Sequence, residues 1–121
     1  MQSCIKKYVS ENEFYIDEGC YITELSNSED DPELSIARAR VEPGVTTQLH
    51  KLLGTIERYV ILEGEGIVEV SDRPLQTVAM YDVVIIPSDC QQKITNTGSK
   101  DLLFLAICSP RFKQYCYQEI F

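Results

Sequence analysis

The chain has one histidine, His50, and no C-x-x-C among its five cysteines. The first scarcity excludes, within a single subunit, any metal site built from two or three imidazoles, including the two-histidine, one-carboxylate triad of non-haem iron oxygenases. The second, with an odd cysteine set (Cys4, Cys20, Cys90, Cys108, Cys116), argues against a disulfide framework or a zinc ribbon. A reducing compartment suits free thiols, so a cytoplasmic location is expected. Basic residues are scarce too. Eleven Lys and Arg against 19 Asp and Glu give a net charge of -8, and only Lys6–Lys7 and Arg38/Arg40 sit close together. Nucleic-acid backbones require clustered cations, so no nucleic-acid partner is expected, and the acidity disfavours anionic membrane surfaces. No apolar run approaches a membrane span, and the opening MQSCIKKYVSENEFYIDEG lacks the apolar core of a signal peptide.

What is present is a chain of 121 residues with 44% hydrophobic content, the size of one domain spanning residues 1–121. Such a domain buries roughly two-thirds of its unfolded surface, enough to fold without a staple, so any metal would serve function rather than folding.

The pattern is strand after strand. GCYITELS (19 to 26) reads as a strand and the acidic NSEDDPE (27 to 33) as a solvated loop. In LSIARARVE (34 to 42), Ile36, Arg38 and Arg40 share one face and Ala37, Ala39 and Val41 the other. ERYVILEG (57 to 64) alternates, and EGEG reads as a hairpin turn into IVEVSD. YDVVIIP, CQQKITNT and DLLFLAICS follow, the first and third being continuous apolar runs that imply strands covered on both faces. A chain with so little helical pattern has no element of its own to cover the outer face, so a homodimer packed sheet against sheet is expected. The tail SPRFKQYCYQEIF fits either a short helix or an edge strand. Eight to ten short strands with regular turn signals describe an all-β jelly roll or related barrel.

GVTTQLHKLLGTIERYVILEGEG (44 to 66) resembles the first motif of the cupin superfamily, G-x5-H-x-H-x3,4-E-x6-G. Gly44, His50, Glu57 and Gly64 fall in register, and Leu52 stands where the second histidine would be. YDVVIIPSDCQQKITN resembles the second motif, G-x5-P-x-G-x2-H-x3-N. Pro87 and Asn96 match, while Tyr81 and Asp89 replace the glycines and Gln92 replaces the histidine. The resemblance covers about residues 34 to 109 and implies a cupin-type double-stranded β-helix, the jelly-roll barrel of that family.

It also implies a site. The family's ligands bind a divalent metal inside the barrel, and they map onto His50, Glu57 and Gln92, with Mn, Fe, Ni, Cu or Zn as the ions such donors suit. The competing reading is a closed polar cluster without metal, in which His50, Glu57 and Gln92 satisfy one another. Tyr59 shares the face of Glu57 and is expected to point inward, and Glu57 and Tyr59 are the candidate proton-transfer residues. Arg38 and Arg40 are candidate anchors for a small organic anion if their face lines the barrel; otherwise Ala37, Ala39 and Val41 do. Cys90 or Cys108 would add a sulfur near His50. Two functions fit: a metal-dependent isomerase, lyase or dioxygenase acting on a small anion, or a metal-free small-ligand binding or sensing barrel.

Overall fold

The computed structural model describes residues 1–121. Eleven strands follow in chain order: β1 (Phe14–Ile16), β2 (Cys20–Ser26), β3 (Ser35–Val41), β4 (His50–Leu52), β5 (Ile56–Glu63), β6 (Glu65–Val70), β7 (Gln76–Ala79), β8 (Val83–Ile86), β9 (Gln92–Asn96), β10 (Leu102–Ser109) and β11 (Tyr117–Glu119). Helix is confined to two three-residue 3-10 turns, Ser10–Asn12 and Gln114–Cys116. The strands form two antiparallel sheets, ordered β1-β2-β3-β10-β5-β8 and β11-β4-β9-β6-β7. This is the all-β jelly roll that the alternation and the motif spacing led us to expect. The tail supplies both a turn and an edge strand, with β11 pairing against β4.

EGEG does not form the expected hairpin. β5 pairs with β10 and β8, whereas β6 pairs with β7 and β9, so Gly64 is the point where the chain crosses between sheets. The crossing needs φ = +86° and a close backbone approach, since a Cβ there would lie 2.8 Å from the Asp101 carbonyl oxygen. Only glycine meets both demands without strain.

Strand alternation explains why the interior has a packed end and an open end. Along β10 the inward residues are Leu102, Phe104, Ala106 and Cys108. Opposite them on β3 lie Val41, Ala39, Ala37 and Ser35, while Ile61, Tyr59 and Glu57 of β5 face Phe104, Ala106 and Cys108. At the first end Val41, Ile61 and Leu102 have no exposed surface, joined by Ile94 from the facing sheet. Each such side chain contributes roughly 2 kcal/mol by leaving water. Toward the other end the residues become small or polar, so the sheets enclose space there instead of side chains.

The second motif serves the backbone. Asn96 is buried and donates to the carbonyls of Val41 and Lys100, at 2.8 Å each, while its Oδ1 accepts the Gly98 N–H at 2.9 Å. Tyr81 and Asp89, where the cupin pattern that the segment resembles has glycine, adopt the left-handed conformation with φ of +70° and +68°. On β8 the expectation of two covered faces does not hold within one subunit: Val84 and Ile86 are buried, but Val83 and Ile85 are exposed.

Candidate functional site

The open end of the barrel holds a cavity of about 630 Å³. Ala37, Ala39 and Ala106 leave the room, and Glu18, His50, Glu57, Tyr59 and Cys108 bring polar atoms into it. Of the residues singled out in the sequence, His50, Glu57 and Tyr59 therefore line one space. Gln92 lies behind them, wholly buried, opposite His50 in the β4–β9 pair.

His50 is set by its neighbours. Its Nδ1 lies 2.7 Å from the Gln48 carbonyl oxygen, which can only accept, so Nδ1 carries the proton and Nε2 presents a lone pair. The ring stacks on Tyr117 with centroids 5.0 Å apart. Burial lowers its pKa, and the imidazole is neutral at physiological pH. Nε2 faces Glu18 Oε1 at 3.4 Å.

Glu18 was not anticipated from sequence. It sits in the turn between β1 and β2, remote in the chain from both motifs, and burial followed by the nearby Glu57 charge pushes its pKa up to about 8. At neutral pH it is mainly a carboxylic acid, able to present its proton to the His50 lone pair. Strand alternation does not extend into that turn, so no local pattern marks Glu18, although the fold sets it beside Ile22 and Glu24 at the cavity.

Glu57 belongs to a second group. Burial pushes its pKa up to about 7, with the Gln92 amide and the Cys108 thiol pulling the other way. Its Oε2 lies 3.9 Å from Cys108 Sγ, and its Oε1 has no hydrogen-bond partner. The Tyr59 hydroxyl donates to Gln92 Oε1, leaving Gln92 Nε2 unpartnered. Tyr59 is thus committed to holding Gln92, and burial and the surrounding acids push its pKa up. Cys20, 3.6 Å from Glu18 Oε2, and Cys108 are likewise pushed up, first by burial, and both remain thiols. Cys90 packs against the core and does not reach the cavity, and Cys108 stands beside Glu57 rather than His50.

The metal implied by the resemblance requires His50, Glu57 and Gln92 to aim donor atoms at one point. Here Gln92 Oε1 is taken by Tyr59, His50 Nε2 faces Glu18, and Leu52 is apolar. No three His, Cys, Asp or Glu residues are grouped so as to hold an ion. The residues present do not fit the group in this arrangement.

Arg38 and Arg40 do not line the cavity. Ala37 and Ala39 take the inward face of β3, and the arginines project the other way, onto Glu13. Arg40 places Nη2 2.7 Å from Glu13 Oε1, reaches Asp101 at 3.3 Å and covers the Tyr21 ring at 4.1 Å. Of the two assignments the sequence left open, the fold takes the one with Ala37, Ala39 and Val41 inward.

No protein-family profile matches the chain. A Thermotoga maritima protein named "Oxalate-binding protein" is 39% identical over 71 residues, which cover 59% of this chain and 58% of that one. The chain spans less than two thirds of the curated relatives it matches. Among solved structures, KdgF from Halomonas sp. superposes with a TM-score of 0.79 at 13% identity, covering 94% of this chain and 99% of its own. A Klebsiella pneumoniae protein described as having a double-stranded β-helix domain superposes with a TM-score of 0.78 at 12% identity, over 99% of each chain. Two facing antiparallel sheets and superposition along nearly the whole length agree: the chain has the double-stranded β-helix fold.

Proposed function

We propose that the barrel interior is a binding site for a small organic molecule, met by Glu18, His50 and Glu57 as proton donors and acceptors without a resident metal. The observation that carries this reading is the cavity of about 630 Å³ in which a buried carboxylate oxygen, Glu57 Oε1, has no partner in the chain. Pockets of this size suit small ligands, and an orphaned buried acceptor is costly until a ligand supplies its donor. The similarity to an oxalate-binding protein supports a small-molecule role.

A second reading, proton-transfer catalysis, is favoured by one specific feature. His50 and Glu18 pair a neutral imidazole with a carboxyl group whose pKa is about 8, an acid and a base held side by side near neutrality. In that reading Glu18 and Glu57 shuttle protons and Tyr59 positions Gln92. The exposed Val83 and Ile85, on the outer face of the six-stranded sheet, support the further proposal that two copies pack through that face. A stable monomer by light scattering at micromolar concentration is the result that contradicts it.

The ligand-binding reading is tested by screening acids, polyols, nucleosides and amines for thermal stabilisation of the wild type and of Ala37→Leu and Ala106→Leu, which fill the cavity. Stabilisation of the wild type alone is expected. No stabilisation by any class, or equal stabilisation of the filled variants, overturns it.

A further inference from the structure

The charges around the cavity identify what kind of molecule it takes. Asp17, Glu18, Glu24, Glu57 and Glu119 line it, and no lysine or arginine does. The lone histidine has its Nε2 against Glu18 Oε1, and Arg38 and Arg40 are held on the far face of β3 by Glu13. An anionic ligand therefore finds no free cation inside. Glu57 is only 9% exposed, and its Oε1 makes no hydrogen bond within the chain. Aromatic walls complete the space, with Phe14, Tyr59, Phe104, Phe112 and Tyr117 around the acids. Ring faces attract cations, and buried carboxylates bind them through charge-assisted hydrogen bonds.

We infer that the cavity selects a small organic ammonium ion bearing at least one N–H, which donates to Glu57 Oε1 against the aromatic walls, in preference to a carboxylate or a neutral molecule of the same shape. The inference rests on the small-molecule reading above and narrows it, in a direction opposite to what the oxalate-binding relative would suggest.

Two matched series provide the test: benzylammonium, benzyl alcohol and benzoate, and n-butylammonium, n-butanol and butyrate. Each is titrated calorimetrically at neutral pH. The expected result is that the ammonium member of at least one series binds about tenfold or more tightly than its alcohol and its carboxylate. Glu57→Gln and Glu18→Gln are each expected to erase that preference while leaving alcohol binding in place. An alcohol or carboxylate binding as tightly as its ammonium overturns the ammonium inference and leaves the small-molecule reading standing. Stoichiometric uptake of Mn²⁺ or Zn²⁺ alone with no ammonium binding also overturns it. Failure of every compound class in the broader screen overturns both.

Discussion

His50 is partnered with Glu18, a residue outside both cupin motifs, and not with the motif glutamate Glu57. The imidazole Nε2 lies 3.4 Å from Glu18 Oε1, while Glu57 turns toward Gln92 and Cys108. Where a metal would draw the motif residues together, this barrel divides them into two polar groups, each built around a buried carboxyl.

Those carboxyls make stability depend on pH. The unfolded chain loses their protons near 4.5, whereas the folded chain holds them until about 7 for Glu57 and about 8 for Glu18. Their contribution is fully present below 4.5 and is lost as pH rises through that window, at about 1.4 kcal/mol per pH unit for each proton by which the states differ. His50 acts oppositely: its lowered pKa removes stability as pH falls below 6.5, where the unfolded imidazole charges. Glu18→Gln is expected to match the wild type near pH 4.5 and to gain on it steadily up to about 8 in denaturant melts. Parallel curves would show that Glu18 is not held protonated.

Tyr59→Phe removes the donor to Gln92 Oε1 inside a fully closed region. Leaving a buried amide oxygen unsatisfied costs about 1–3 kcal/mol. Urea unfolding is expected to show a loss in that range, and a neutral substitution would mean that the hydroxyl is not what holds Gln92.

Arg40→Ala breaks the Glu13 and Asp101 contacts and uncovers Tyr21. The side chain is 23% exposed, so solvent screens the ion pairs and the expected destabilisation is about 1–2 kcal/mol. Ligand affinity is expected to remain within about twofold, because the guanidinium lies outside the cavity. A large loss of binding with little loss of stability would return Arg40 to the site.

Tyr81→Gly places the glycine of the cupin-like pattern at a position with φ of +70° where the residue is 76% exposed. Relief of the left-handed strain costs little packing, and stabilisation by about 1 kcal/mol is expected in thermal or chemical melts. Destabilisation would show that the exposed ring contributes contacts of its own.

The fold was legible because a double-stranded β-helix barrel is written in two periodicities: alternation within strands, and motif spacing that fixes which strands come together. His50, Glu57 and Tyr59 were legible for the same reason, since parity places Tyr59 two residues along from Glu57 on one face. The face of β3 was not, because small apolar residues alternate there with arginines, and either set suits an interior until the sheet spacing is known. Glu18 lies beside Gly19 in a turn with no local signature, and only tertiary packing carries it to His50. The EGEG misreading has a similar cause, for a glycine at a hairpin and one at a sheet crossing share the same left-handed backbone.

The most direct test of a metal-free ligand cavity is native mass spectrometry of untagged protein after incubation with Mn, Fe, Ni, Cu and Zn and desalting, with His50→Ala alongside. The account predicts no metal retained by the wild type beyond that on the variant. One metal ion per subunit on the wild type, absent from His50→Ala, would contradict it.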